Sequence, residues 1–298
     1  MSGTTEGLSR KIAGAEDLQS VVRSMKALAA SSIGQYERAV VSLDDYYRTV
    51  KMGLSACIRE SGPMLVADLN LSTKQEGYGA VIFGSDQGLV GGFNEVIVDY
   101  SRDGARKMPG SVRKIWAIGE RAYSLLSESA SCSVLSLAVP TSVDTITSIV
   151  GQILIEIERA RENGELWEVY VFHNRPKSGA LYEPVCKRLL PLDLAWQEKL
   201  LASSWPTQVL PEVIEGVVSA LPAFIRGYLF VVLFQACAES LASENASRLA
   251  AMQRAEKNIE DILEDLSRTL RRIRQESIDE ELFDVISGFN ALANQADA

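Results

Sequence analysis

Histidine is nearly absent from this 298-residue chain, His173 being the only one. One imidazole excludes a multi-histidine metal site and weakens any Ser-His-Asp or Cys-His chemistry. Cysteine is scarce too. Cys57, Cys132, Cys186 and Cys237 lie far apart with no CxxC. That excludes a zinc ribbon or a dense disulfide framework and suits free thiols in a reducing compartment. An excess of positive charge is missing: 30 Lys+Arg stand against 39 Asp+Glu, a net charge of −9. A bulk nucleic-acid binder would carry a basic footprint instead. The longest apolar run, Tyr228 to Ala238 interrupted by Gln235, is too short to span a bilayer. The opening MSGTTEGLSR lacks both the apolar core of a signal peptide and Arg-rich transit character, so a cytosolic protein or a peripheral subunit is expected. Finally, no proline precedes Pro63 and none follows Pro222.

The two proline-free ends read as helix. Val22, Met25, Ala29, Tyr36, Val40, Leu43, Tyr47, Val50, Leu54 and Cys57 recur mostly at steps of three and four, which predicts one helix over residues 8–60. Gly62-Pro63 stops it. Near the other end Leu249, Met252, Ile259, Leu263, Leu266, Leu270 and Ile273 keep the same seam, continued by Leu282, Val285, Phe289 and Leu292. A helix over 225–290 would be roughly 95 Å long at 1.5 Å per residue, more than a globular domain buries. Two such helices can satisfy each other as an antiparallel coiled coil.

Between them strand and helix patterns alternate. Strands are predicted at Gly79–Phe83, Lys114–Ile118, Val134–Ala138 and Trp167–His173, with a further apolar stretch at Val185–Leu190. Helical patterns fill 93–108, 120–129 and 142–163. Such alternation means an α/β sheet with crossover helices. The fold class expected is α/β: a long antiparallel coiled coil of the terminal helices with an inserted Rossmann-like α/β domain. The expected domains are an N-terminal shaft helix (1–62), the inserted domain (76–212) and a C-terminal shaft helix (213–298).

The motif GSDQGLVGGFN, Gly84 to Asn94, follows a strand and precedes a helix. A helix N-terminus there could cradle phosphate. The spacing is neither GxGxxG nor GxxxxGK[ST], so a tight turn whose glycines permit positive φ or close packing is the better reading. Ser85-Asp86 reads as turn chemistry, and His173 as a structural histidine. Glu260, Asp261, Glu264 and Asp265 form an acidic helix face, followed by Arg268, Arg271, Arg272 and Arg274; both read as solvated surface. No catalytic residue, metal ligand or cofactor is expected.

Three separated stretches resemble the gamma subunit of the F-type (rotary) ATP synthases. Met25-Lys26 with Leu28-Ala29-Ala30 resembles the family's MKMVAA. SDQGLVGGFN, from Ser85 to Asn94, is similar to SDRGLCGGFN. ESLASENASRLAAM (239–252) and RQESIDEELFDVISGFNAL (274–292) resemble ENLASEHAARMxAM and RQAxITxELxEIxxGAxAL. The resemblance implies a non-catalytic rotor that couples ion flow through a membrane ring to ATP synthesis or hydrolysis at beta-subunit sites. It implies Arg274, Gln275, Ile278, Glu281, Met25 and Lys26 as beta-subunit contacts. Trp205, Pro211 and Glu212 would belong to the foot that meets the ion ring and an epsilon-type subunit. Gly88, Gly91, Gly92, Phe93, Asn94 and Arg248 match the family's structural motifs. The implied partners are alpha and beta subunits, epsilon and a c-type ring, with no nucleic acid and only peripheral membrane association, at the cytoplasmic face of a bacterial inner membrane.

Departures from the family pattern are specific. Glu16, Ser20 and Ser32 stand where lysine is usual, Asp279 replaces the Thr of ITxEL, and Gln87 and Val90 replace Arg and Cys. Thr207, Val209 and Leu210 replace the usual Tyr and Glu of the foot. They suggest a divergent paralogue, such as one from an alternative, sodium-translocating N-type operon. Two rival readings stay open at this point: a nucleotide-binding α/β protein with helical arms, and a coiled-coil scaffold.

Overall fold

The computed structural model describes residues 2–61, 77–108, 110–128, 132–178, 180–202, 205, 209, 212–214 and 216–296. In chain order the elements are α1 (Ser2–Ser42), α2 (Asp44–Ser61), β1 (Gly77–Phe83), α3 (Phe93–Lys107), β2 (Ser111–Ile118), α4 (Glu120–Ser127), β3 (Ser133–Leu137), α5 (Val143–Glu162), β4 (Glu168–Lys177), β5 (Ala180–Leu190), α6 (Leu194–Leu201) and α7 (Val217–Ala296). Two compact units result. One comprises residues 1–28 and 249–298, the other residues 29–248.

The larger unit is built on a five-stranded sheet of order β3-β2-β1-β4-β5. β1 pairs in parallel with β2 and β4, β2 with β3, and β5 closes one edge antiparallel to β4. The period-2 alternation of a strand explains why the central strands are apolar throughout. Val81, Phe83, Trp116 and Ile118 face one core with residues of α1, α2, α5 and α7. Ala80, Ile82, Ile115 and Ala117 face a second, against α3 and α4.

The four expected strands are present and the apolar stretch at Val185–Leu190 is a fifth, β5; β4 and β5 extend beyond those bounds as they pair with each other from Val169↔Leu190 out to Lys177↔Ala180. The helix expected over 8–60 is two helices. Leu43 forms a turn, its N–H bonding Val40 O at 3.2 Å before the ladder resumes with Tyr47 N–H to Leu43 O at 2.8 Å. The C-terminal helix starts at Val217 rather than 225, with Pro222 inside it. A proline in a helix removes one N–H, here the one that would bond Val218. Val218 is exposed, on the first turn, where water can take that carbonyl. Helix α6 is absent from the sequence reading. Its start is marked by Asp193, whose carboxylate accepts the Trp196 N–H at 3.0 Å.

One 18-residue window of α7 reaches a mean hydropathy of 2.0, enough by length and composition to cross a membrane. Of that window 39% is buried, including Leu229, Val232, Leu233 and Phe234, which lie in the sheet core.

In the smaller unit α1 and α7 run antiparallel. Arg23 Nε donates to Glu256 at 2.9 Å and reaches Glu260 at 3.6 Å, and Gln19 donates to Glu260 at 3.4 Å. Lys26 also donates to Glu256. Going down α1 the partners go up α7. Half-buried positions recur at 8, 12, 15, 19, 22 and 25 on α1, and at 256, 259, 263, 266, 270, 273 and 277 on α7. Those alternating steps are the heptad seam. Glu260 is exposed, as expected of a solvated face, and is also one of the cross-helix partners.

Candidate functional site

The turn at 84–94 is a hub of hydrogen bonds in the larger unit. Asn94, buried at the start of α3, accepts the Ser85 N–H on Oδ1 at 2.9 Å and donates from Nδ2 to Ser85 Oγ at 2.8 Å. Ser85 Oγ in turn donates to Gln87 O at 2.8 Å. Asp86 accepts the backbone N–H groups of Glu120 and Val139, each at 3.0 Å, tying the starts of α4 and the segment after β3 to the same turn. Asn174 Nδ2 donates to Phe93 O at 3.0 Å, and Ser243 Oγ donates to Asn174 O at 3.1 Å. Ser247 Oγ donates to Val90 O. The turn therefore spends its polar groups on four elements of its own unit.

Its glycines differ in what they do. Gly91 takes a positive φ of 59°, and Leu89 shares that region at 63°. At Gly88 and Gly92 a Cβ would meet nothing closer than 3.5 Å and 4.0 Å, so neither is required by crowding. Phe93 is fully buried and packs edge-on against Tyr182. Crowding fixes two glycines here: Gly84, where a Cβ would lie 2.4 Å from Ala122 Cβ and 2.8 Å from Asn94 Oδ1, and, after β2, Gly119. Its φ is 104°, and a Cβ there would lie 2.7 Å from Ser85 backbone atoms. Sequence reasoning passed over Gly119, Asn174 and Ser247; an Ile-Gly step between strand and helix was the available signal for the first.

Arg248 donates to Glu244 at 2.7 Å and to Asn245 at 3.4 Å. Burial raises the Glu244 carboxyl above the usual carboxylate range; the Arg248 charge and hydrogen bond oppose the rise, and Asp86 adds to it. His173 is fully buried at the end of the apolar part of β4, its Nε2 2.7 Å from Glu239 Oε2. Gln235 donates to the other carboxylate oxygen at 2.8 Å. Burial lowers the His173 pKa, with the Glu239 bond pulling the other way. Burial alone would raise Glu239, but the His173 bond holds it below its ordinary value. The imidazole is thus the neutral tautomer donating from Nε2, and its Nδ1 has no partner among the described residues.

Met25 and Lys26 lie on α1 in the smaller unit, both half-buried. Arg274, Gln275 and Glu281 are exposed on α7. Ile278 is 64% exposed, and Leu282, Phe283, Val285 and Ile286 are exposed with it. Every described side chain of α7 from 278 to 287 is exposed, so the heptad seam ends at 277 and the apolar residues beyond it face outward in the isolated chain. Of the residues expected in a foot, Trp205 is half-buried and Glu212 exposed. Pro211, Thr207 and Leu210 lie outside the described residues. Among the described residues no disulfide joins Cys57, Cys132, Cys186 or Cys237. Among the described residues no group of three His, Cys, Asp or Glu side chains could hold a metal ion.

A family model described as ATP synthase matches residues 4–292. The ATP synthase gamma chain of Frankia casuarinae is 26% identical over 304 residues, covering 99% of this chain and 99% of its own. That of Desulfitobacterium hafniense is 25% identical over 241 residues, 72% of this chain and 81% of its own. Among solved structures, a chain of the Euglena gracilis mitochondrial ATP synthase rotor in rotational state 1 shares the fold with a TM-score of 0.64 at 16% identity, covering 93% of this chain and 100% of that one. A chain of the same enzyme's OSCP/F1/c-ring assembly in rotational state 3 gives 0.65 at 17% identity, covering 100% and 97%. Matched by that family model from residue 4 to residue 292, with gamma chains as its curated relatives, the protein belongs to the ATP synthase family.

Proposed function

We propose that the chain is the central rotor shaft of a rotary ATP synthase and carries no catalytic site of its own. The observation that carries this reading is the end of α7. Five large apolar side chains between 278 and 286 are exposed beyond the last residue that α1 helps to cover. Exposed apolar patches of that kind mark partner surfaces. A ring of alpha and beta subunits around the helix would supply the cover. Arg274 and Gln275, exposed just before this stretch, suit contact with a beta loop, since a guanidinium holds a carboxylate through a fixed fork of donors. Ile278 and Glu281 would share that contact, and Met25 and Lys26, level with Glu256, would meet a beta subunit roughly 33 Å further along α7. Turning the shaft would present a different face to each beta subunit and so select which site is open, a coupling by rigid-body rotation.

At the other end Trp205, Pro211 and Glu212 would meet an epsilon-type subunit and the c-type ring, with the complex peripheral on the cytoplasmic face of a bacterial inner membrane. Identities of 25% and 26% to the gamma chains above support a divergent member, such as one from an alternative operon. Proton or sodium choice would be made in the ring. The test is reconstitution with alpha and beta subunits. The chain is expected to co-purify with them and support ATP hydrolysis, and a bead on a cysteine placed at residue 107 is expected to rotate in one sense. Failure to co-assemble, with hydrolysis unchanged by its addition, would overturn the reading.

A further inference from the structure

A recess of about 450 Å³ lies in the larger unit between α2 and α6. One face of α2 supplies Arg48, Lys51, Met52 and Ser55 at helical spacing, and α6 supplies Trp196 and Lys199 one turn apart. Tyr47 and Trp205 complete the aromatic part of the wall. None of the described residues that line it is acidic, although the chain as a whole carries a net charge of −9. Three cations converge on one hollow in an acidic protein.

The aromatic floor is fixed in place. Tyr47 stacks on Tyr228 with ring centroids 5.9 Å apart, Trp196 meets Tyr228 edge-on at 4.9 Å, and Trp196 Nε1 donates to the Tyr228 hydroxyl at 2.9 Å. Lys51 Nζ sits 4.7 Å over the Tyr47 ring. Ser55, 5% exposed, belongs to the same wall, and its hydroxyl has no hydrogen-bond partner among the described residues. A buried hydroxyl is rarely left in that state without a ligand or water to satisfy it. Among the described residues Arg48 pairs with Asp45 at 3.0 Å, both side chains largely exposed, and the Lys199 charge acts on the Asp193 carboxylate. The recess has the size and the mixture of apolar wall and few convergent polar groups that small-molecule sites show.

We propose that this recess binds a small organic anion: a phosphate or carboxylate carried on a planar apolar body. The body lies against Trp196, Tyr47 and Met52, and the anion is held by Lys51, Lys199 and Arg48. A bound molecule would bridge α2 to α6, next to Trp205.

The experiment is calorimetric titration of the full chain with 1-naphthyl phosphate, against inorganic phosphate and 1-naphthol. Saturable binding is expected for naphthyl phosphate, at least about tenfold tighter than either half alone. Lys51→Gln and Lys199→Gln are each expected to weaken it about tenfold, the loss of one charge-assisted bond. Lys107→Gln, exposed at the end of α3, is expected to change nothing. Thermal melts of the variants matching the parent keep the comparison valid. Sedimentation with phosphatidylglycerol vesicles, reversed by naphthyl phosphate, would assign the anion to a lipid headgroup; no sedimentation would assign it to a free anion, and either result supports the site. No saturable heat below about 1 mM, or equal weakening by Lys107→Gln, overturns it.

Discussion

Replacing Gly119 by alanine puts a methyl group where the backbone of Ser85 already is. The new Cβ would sit 2.7 Å from the nitrogen, carbonyl carbon and oxygen of Ser85, none of which can swing aside like a side chain. The backbone at 119 also has φ of 104°, a region that L-residues rarely adopt. Holding alanine there costs about 1–3 kcal/mol. Relief requires Ser85 or the start of α4 to move. That stretches Gly84 N–H to Ile118 O at 2.8 Å and Arg121 N–H to Ser85 O at 3.0 Å, and leaves at least one buried group poorly bonded. One such loss costs about 1–3 kcal/mol. Together the expected destabilisation is about 2–6 kcal/mol, a large part of the ~5–15 kcal/mol that holds a domain folded. Gly151, in the middle of α5, is the opposite case: a Cβ there meets nothing within 4 Å. Gly151→Ala should stabilise by about 0.5–1 kcal/mol through helix propensity alone. Urea unfolding followed by tryptophan fluorescence reports both, because Trp116 is fully buried in β2 three residues before Gly119. If Gly119→Ala unfolds within about 1 kcal/mol of the parent, the close approach at Ser85 is not what fixes this turn.

Three further outcomes are expected. Arg274→Ala with Gln275→Ala should lower ATP turnover of the assembled complex about tenfold or more, while the chain's own melting stays unchanged because both side chains are exposed; Lys177→Ala is the control, and parental turnover in the double variant would remove the pair from coupling. Glu256→Lys should speed amide exchange in residues 15–26 by setting three cations against one another. The native Glu256 carboxyl is held below the value of 4.5 by hydrogen bonds from Lys26 and then Arg23, so its contribution is present at neutral pH and is lost only as pH falls through that lowered value. Unchanged exchange would mean that the pairing rests on the apolar seam. His173, lowered from 6.5 by burial, should make stability fall as pH drops below 6.5, because the unfolded chain takes up a proton that the native imidazole refuses. Urea midpoints across pH should show that slope, and His173→Gln should flatten it; a slope that survives the substitution assigns it to another group.

The elements were legible where one period dominated. The strands at 79–83, 114–118 and 134–138 and the helices at 93–108 and 142–163 stand within a few residues of where the apolar patterns put them. Ser142 also caps α5 by accepting the Thr145 N–H, a short-range signal written in adjacent residues. What periodicity could not reveal was which part of a long seam packs against what. Val22 and Val50 belong to one repeating pattern, yet Val50 lies in the sheet core and Val22 on the helix pair. The sequence reading treated the terminal helices as shaft throughout, whereas 29–61 and 217–248 belong to the compact unit that contains the sheet. The break at Leu43 and the helix through Pro222 escaped for the same reason: tertiary packing decided them against local preference. At the 84–94 turn the pattern of glycines was visible, but the partner that makes the turn tight, Gly119, is distant in sequence and silent in composition.

The shared core of α2, α7 and the sheet also sets a timetable. Leu54, Cys57 and Ile58 share a buried core with Leu233, Phe234 and Cys237, residues synthesised much later. At ribosomal elongation of ~5–20 residues per second, the apolar face of α2 waits on the order of ten to tens of seconds for that cover. Until then the nascent chain exposes a hydrophobic strip that other nascent chains and chaperones can reach. Emergence of residues 217–242, rather than completion of the five strands, is the event that lets this core close.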